Sequence, residues 1–113
     1  MSYDVSIGDK SFNYTYNVST LFYDHIPAVS STGGLSEIDG KTGRQACAIL
    51  QKAFCEINNR RRSMGGDDEV GEPNFCAAYD ASNGWGSAVG GLIFLAEILA
   101  ACAEFQRLKV RVS

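Results

Sequence analysis

The stretch from Ala88 to Gln106 constrains the fold more than any other part of the chain. Val89, Leu92, Ile93, Phe94, Leu95, Ile98, Leu99, Cys102 and Phe105 put apolar side chains almost all round a helix, and Glu97 and Glu104 mark a narrow solvent face. Such a helix must be covered on most sides, by a sheet, a second helix or a further subunit. Ala96, Ala100 and Ala103 form a small-residue strip that allows close helix approach. Ser87 is placed to cap the helix after the turn-rich Asp80-Ala-Ser-Asn-Gly-Trp-Gly. The apolar run is broken by Gly90, Gly91 and Glu97 and falls short of the ~20 residues a bilayer span needs, so no membrane association is expected.

The covering elements are also legible. Tyr3, Val5 and Ile7 alternate with Asp4 and Ser6, and Phe12, Tyr14, Tyr16 and Val18 alternate with Asn13, Thr15, Asn17 and Ser19. With Gly8-Asp9-Lys10-Ser11 between them these runs predict an N-terminal β-hairpin. Leu108, Val110 and Val112 alternate in the same way and predict a closing strand. Between them Thr42-Gly-Arg-Gln45 has capping-box form. Ala46, Ile49, Leu50, Ala53, Phe54 and Ile57 then recur at three and four, as one face of an amphipathic helix requires, and Arg60-Arg61-Arg62 suit its negative end.

Leu21 to Ile38 shows no clear period and reads as loop with at most a short helical turn. Leu21, Phe22, Tyr23 and Ile26 nevertheless give it the means to fold over the greasy helix. Gly65 to Pro73 is acidic and reads as an exposed loop, and Asn74 to Tyr79 as a short third strand. The expected architecture is a single α+β domain over residues 1–113. It combines a small antiparallel or mixed sheet, formed by the N-terminal β-hairpin plus the C-terminal strand, with two helices packed on one face.

Composition narrows function by exclusion. The chain has 113 residues, 45% hydrophobic, with a formal net charge of -3, which suits one core and argues against duplex nucleic acid as a partner. Met-Ser-Tyr-Asp-Val-Ser carries no secretory signal, so a cytoplasmic location is expected. On that basis Cys47, Cys55, Cys76 and Cys102 read as reduced, structural thiols, and the glycosylation patterns at Asn13 and Asn17 as incidental. The cysteines form no CxxC pair and there is one histidine, so no metal and no cofactor is expected.

Gly33-Gly34-Leu-Ser-Glu-Ile-Asp-Gly40-Lys41-Thr42 resembles a phosphate loop only loosely, because five residues separate Gly34 from Gly40 where that loop has four. What survives is an anion site in which Asp39, Lys41, Arg44 and His25 surround the amides of a helix start. His25, the sole histidine, has no nucleophile signature beside it. Asp80, Asn83 and Trp85 form the other candidate binding set: the first two are ordinary turn residues, while a lone Trp in a Gly-flanked loop is the residue type that anchors partners.

Tyr-Asp-Val-Ser-Ile-Gly-Asp, the Asp24-His25-Ile26 segment, Tyr79-Asp80…Asn83-Gly84-Trp85-Gly86 and the closing Val-Arg-Val-Ser resemble small uncharacterised proteins of bacteriophages and prophages. The resemblance implies a context and no catalytic residues: a phage-type accessory protein that acts by binding. The expected function is therefore non-enzymatic sequestration or blocking of a host macromolecule, a host protein of the defence type included, by a homo-oligomer. The alternative is a small anionic-ligand or nucleotide-binding protein, or a hydrolase, built on the first helix N-terminus.

Overall fold

The computed structural model describes residues 2–28, 33–63, 79–81 and 83–113. Strands β1 (Ser2–Ile7) and β2 (Lys10–Thr15) pair antiparallel, with Val5 opposite Phe12 and Tyr3 opposite Tyr14. Gly8 opens their two-residue turn at φ 59°, a left-handed conformation that a Gly-first hairpin turn requires and that costs glycine least. Strand β3 (Arg111–Val112) joins the other side of β1, Val112 opposite Val5, and gives the sheet order β2-β1-β3. Tyr3, Val5 and Ile7 point to the covered face, as their alternation predicts.

Helix α1 (Ser19–His25), α2 (Gly43–Ser63) and α3 (Ala88–Glu104) are the α-helices longer than one turn among the described residues. Helix α3 lies on β2 and β1, and α2 packs along α3. Both predicted starts are in place: Ser87 Oγ accepts from the Gly90 amide, while Thr42 Oγ1 accepts from Gln45 N–H and Gln45 Oε1 accepts from Thr42 N–H. The result is a small α+β fold with Leu50, Ile57, Leu95, Ile98 and Val110 fully buried at its centre. No helix among the described residues is long and apolar enough to cross a membrane.

Two expectations need correction. The second strand stops at Thr15, although Tyr16 and Val18 continue its alternation. Thr15 Oγ1 accepts from the Asn17 amide and caps a 3-10 turn at Tyr16–Val18 that runs straight into α1. The described residues of the segment read as loop are therefore largely helical: α1 buries Leu21 and Phe22, and a second 3-10 turn at Gly34–Ile38 buries Leu35 and Ile38. This segment covers part of α3. Leu21, Val18 and Phe22 close over Gly91, where an added Cβ would lie 2.8 Å from Leu21 Cδ2, and the Phe22 and Phe94 rings sit 6.1 Å apart.

The solvent face of α3 is also wider than its two glutamates indicate. Val89 and Ile93 are 42% and 55% exposed, and Ala96, Ala100 and Ala103 are exposed with them. The acidic loop Gly65–Pro73, the strand expected at Asn74–Tyr79 except its last residue, and Cys76 lie outside the described residues.

Candidate functional site

The start of α2 gathers three of the predicted binding residues, Asp39, Lys41 and Arg44, and occupies the first two internally. Asp39 Oδ1 accepts from the Val112 amide at 2.9 Å and so serves the β3 edge. Lys41 Nζ donates to the Glu37 carbonyl at 2.7 Å and pairs with its carboxylate at 3.3 Å. Glu37 is 1% exposed, so this cation offsets part of the cost of burying its carboxylate. The amides of the helix start are equally engaged. Gly43 N–H donates to Leu108, Arg44 N–H to Gln106 and Ala46 N–H to Thr42, and Gln45 N–H goes to the Thr42 hydroxyl. An anion cradle needs such amides unpartnered, and this first turn leaves none. The Arg44 side chain is exposed beside it.

Gly43 explains why the helix start is so closely held. It sits against the C-terminal end of α3, where a Cβ would fall on the Phe105 carbonyl oxygen.

His25 is 5% exposed and belongs to the interior. Nδ1 lies 2.7 Å from the Leu21 carbonyl, an acceptor, so Nδ1 donates a proton there. Nε2 is buried and has no hydrogen-bond partner among the described residues. His25, Glu37, Ile49 and Lys52 line a cavity of about 260 Å³. Next to the ring, Tyr79 stands 5.7 Å from His25, donates its hydroxyl to Asp24 at 2.7 Å, and lies under the Arg60 guanidinium at 5.5 Å. Arg60 is exposed at the end of α2, and its guanidinium also lies 3.9 Å from the Asp24 carboxylate.

The Trp85 loop is the remaining candidate set, and its geometry is that of a brace. Asp80 Oδ1 accepts from Ala88 N–H at 2.8 Å and adds a second cap to α3. Asn83 Oδ1 accepts from Trp85 N–H at 3.0 Å, closing an Asx turn. Asn17 Nδ2 donates to the Trp85 carbonyl at 3.0 Å and ties the loop to the 3-10 turn after β2. Gly86, at φ 118°, lies so close to Thr15 that a Cβ would meet Thr15 Cγ2 at 2.5 Å. These contacts fix the backbone while the Trp85 side chain stays 74% exposed. Val89 and Ile93, four apart on α3, form an exposed apolar pair on the helix that follows this loop.

A third grouping escapes sequence reasoning altogether. Tyr3 from β1, Tyr16 from the 3-10 turn and Tyr23 from α1 converge with Ser19 and Ser36 around a cavity of about 340 Å³. The Tyr3 and Tyr16 rings meet edge to face at 4.3 Å and 74°. Burial above all, then the neighbouring Tyr23 and Tyr16, pushes the Tyr3 phenol up to about 12. The only linear signal was an unusual density of tyrosine between residues 3 and 23, which strand alternation accounts for equally well. Comparison of the chain with protein-family models, with curated proteins and with solved structures returned no match.

Proposed function

We propose that the protein acts by binding rather than by catalysis, presenting Trp85 and the α3 stripe to a macromolecular partner and thereby sequestering or blocking it. The observation that carries this reading is a lone tryptophan left 74% exposed on a loop whose backbone is held by three side chains and a glycine contact. An exposed indole on a fixed backbone binds with little ordering cost, and tryptophan is among the commonest interface anchors. Val89 and Ile93 extend the surface. The resemblance to phage proteins makes a host protein in the cytoplasm the partner class to test first.

The same stripe is where a second copy of the chain would pack, which keeps the homo-oligomer within the proposal. The test uses Trp85→Ala and Ile93→Ser on the full chain. Affinity capture from host lysate retrieves a partner with the wild type, and each variant loses it while its far-ultraviolet circular dichroism is unchanged. Sedimentation equilibrium on the same samples separates self-association from partner binding. Capture that is indifferent to both substitutions refutes the proposal.

A further inference from the structure

We propose that the cavity framed by Tyr3, Tyr16 and Tyr23 binds a quaternary ammonium group. The cavity shares no lining residue with the Trp85 surface, and the inference is independent of the binding reading above. Its volume of about 340 Å³ falls in the range of roughly 300–1,000 Å³ typical of small-ligand sites. Three aromatic rings from three elements line it, with Ser19 and Ser36 between them and Val112 and Ser113 at one side. Among the described residues its walls carry no charged side chain.

The chemistry of that lining selects the guest. Aromatic faces and phenol oxygens present negative potential, which attracts a cation and repels an anion. A primary ammonium would bring N–H donors that need several acceptors when buried. A quaternary ammonium has no donors and is weakly hydrated, so aromatic ring faces suit it. The net charge of -3 favours approach of any cation.

The walls are also held in place. Tyr3 is 8% exposed and packs edge to face on Phe22 at 5.5 Å. Ser36 Oγ donates to the Gly33 carbonyl at 3.1 Å. Tyr23 is 53% exposed, yet its ring lies against Gly34, where an added Cβ would sit 2.9 Å from the ring carbons. Gly34 stands at φ 67°, so the position excludes a side chain both by conformation and by the tyrosine it seats. An exposed tyrosine seated in this way forms a wall with little further loss of freedom on binding.

Choline and its neutral tert-butyl isostere, which differ in charge and hardly in shape, are titrated into the isotope-labelled full chain and followed by nuclear magnetic resonance. Choline is expected to bind on the order of tenfold more tightly than the isostere. Its methyl resonance moves upfield under the ring currents, and the ring resonances of Tyr3, Tyr16 and Tyr23 respond. A short peptide with trimethyllysine forms the second arm, and whichever arm binds more tightly assigns the source of the ammonium group. Tyr23→Ala weakens binding by about tenfold, whereas Tyr23→Phe retains it, because the ring face and not the hydroxyl makes the contact. Equal binding of choline and isostere overturns the proposal. So do tyrosine ring resonances unmoved by both choline and the peptide. The comparison on the unaltered chain decides even where a variant does not fold.

Discussion

Replacing Gly43 by alanine should unfold the protein more easily, against the usual preference for alanine in helices. In an open helix the change gains up to about 1 kcal/mol. Here the new Cβ would fall on the Phe105 carbonyl oxygen and lie 2.7 Å from that of Cys102, where an ordinary contact is at least 3.4 Å. Both neighbours are backbone, so α2 must withdraw from the end of α3 by roughly 0.7 Å or more. That movement strains the bonds from Gly43 N–H to Leu108 and from Arg44 N–H to Gln106, now 2.8 and 3.0 Å. Overpacking costs about 1–3 kcal/mol and each weakened bond a further part of about 1 kcal/mol. The net expectation is a loss of about 2–3 kcal/mol, or a Tm about 6–15 °C lower for a chain of this size. Urea and thermal unfolding by circular dichroism measure it. Gly40→Ala is the control: Gly40 has φ 77° but nothing within 4 Å of an added Cβ, so only the left-handed conformation is penalised, by about 1 kcal/mol. Gly43→Ala as stable as the wild type, or more stable than Gly40→Ala, refutes the close-approach argument.

Alkaline pH should destabilise the fold. Burial raises Tyr3 and Tyr79 from 10.0 to about 12, with Asp24 adding to the shift at Tyr79, and raises Cys102 from 9.0 to about 11. These groups stay neutral longer when folded, so their contribution is complete below pH about 9 and is lost as pH rises toward 11 to 12. The urea midpoint should therefore fall through that window; a flat profile contradicts it. In the folded protein at neutral pH, a thiol reagent should modify exposed Cys55 and spare buried Cys102 until unfolding. Lys41→Met should cost about 1–3 kcal/mol by removing a cation from the buried Glu37 carboxylate, and Glu37→Gln in the same chain should restore part of it; denaturant unfolding of the two variants reads both effects.

Local patterns carried much of the fold. The hairpin with its glycine turn, the capping box at Thr42, the Ser87 cap and the buried stripe of α2 all arise from interactions within a few residues, which is why spacing alone locates them. The same logic misplaced the end of β2. Thr15 to Val18 can satisfy either an alternating strand or a capped turn, and burial of Val18 against α3 at Gly91 favours the turn. Helix α1 was hidden because its seven residues are too few to establish a period, and packing of Leu21 and Phe22 supplies the stability that propensity does not.

The candidate sites divide along the same line. Trp85 was legible because an indole among glycines is conspicuous in any context, but the backbone that presents it is held by Asn17 and Thr15 from elsewhere in the chain. His25, Asp39 and Lys41 were singled out by type, and tertiary structure turned Asp39 and Lys41 to internal partners and buried His25. The tyrosine cavity had no signal of its own. Tyr3, Tyr16 and Tyr23 reach one another because the turn at Thr15 sends α1 back over β1, and Val112 arrives through the pairing of β3 with Val5. Sequence by itself determines elements, since caps, turns and periodicity are short-range. Which side chains then share a cavity is decided by contacts between residues far apart in the chain, and no local spacing encodes those.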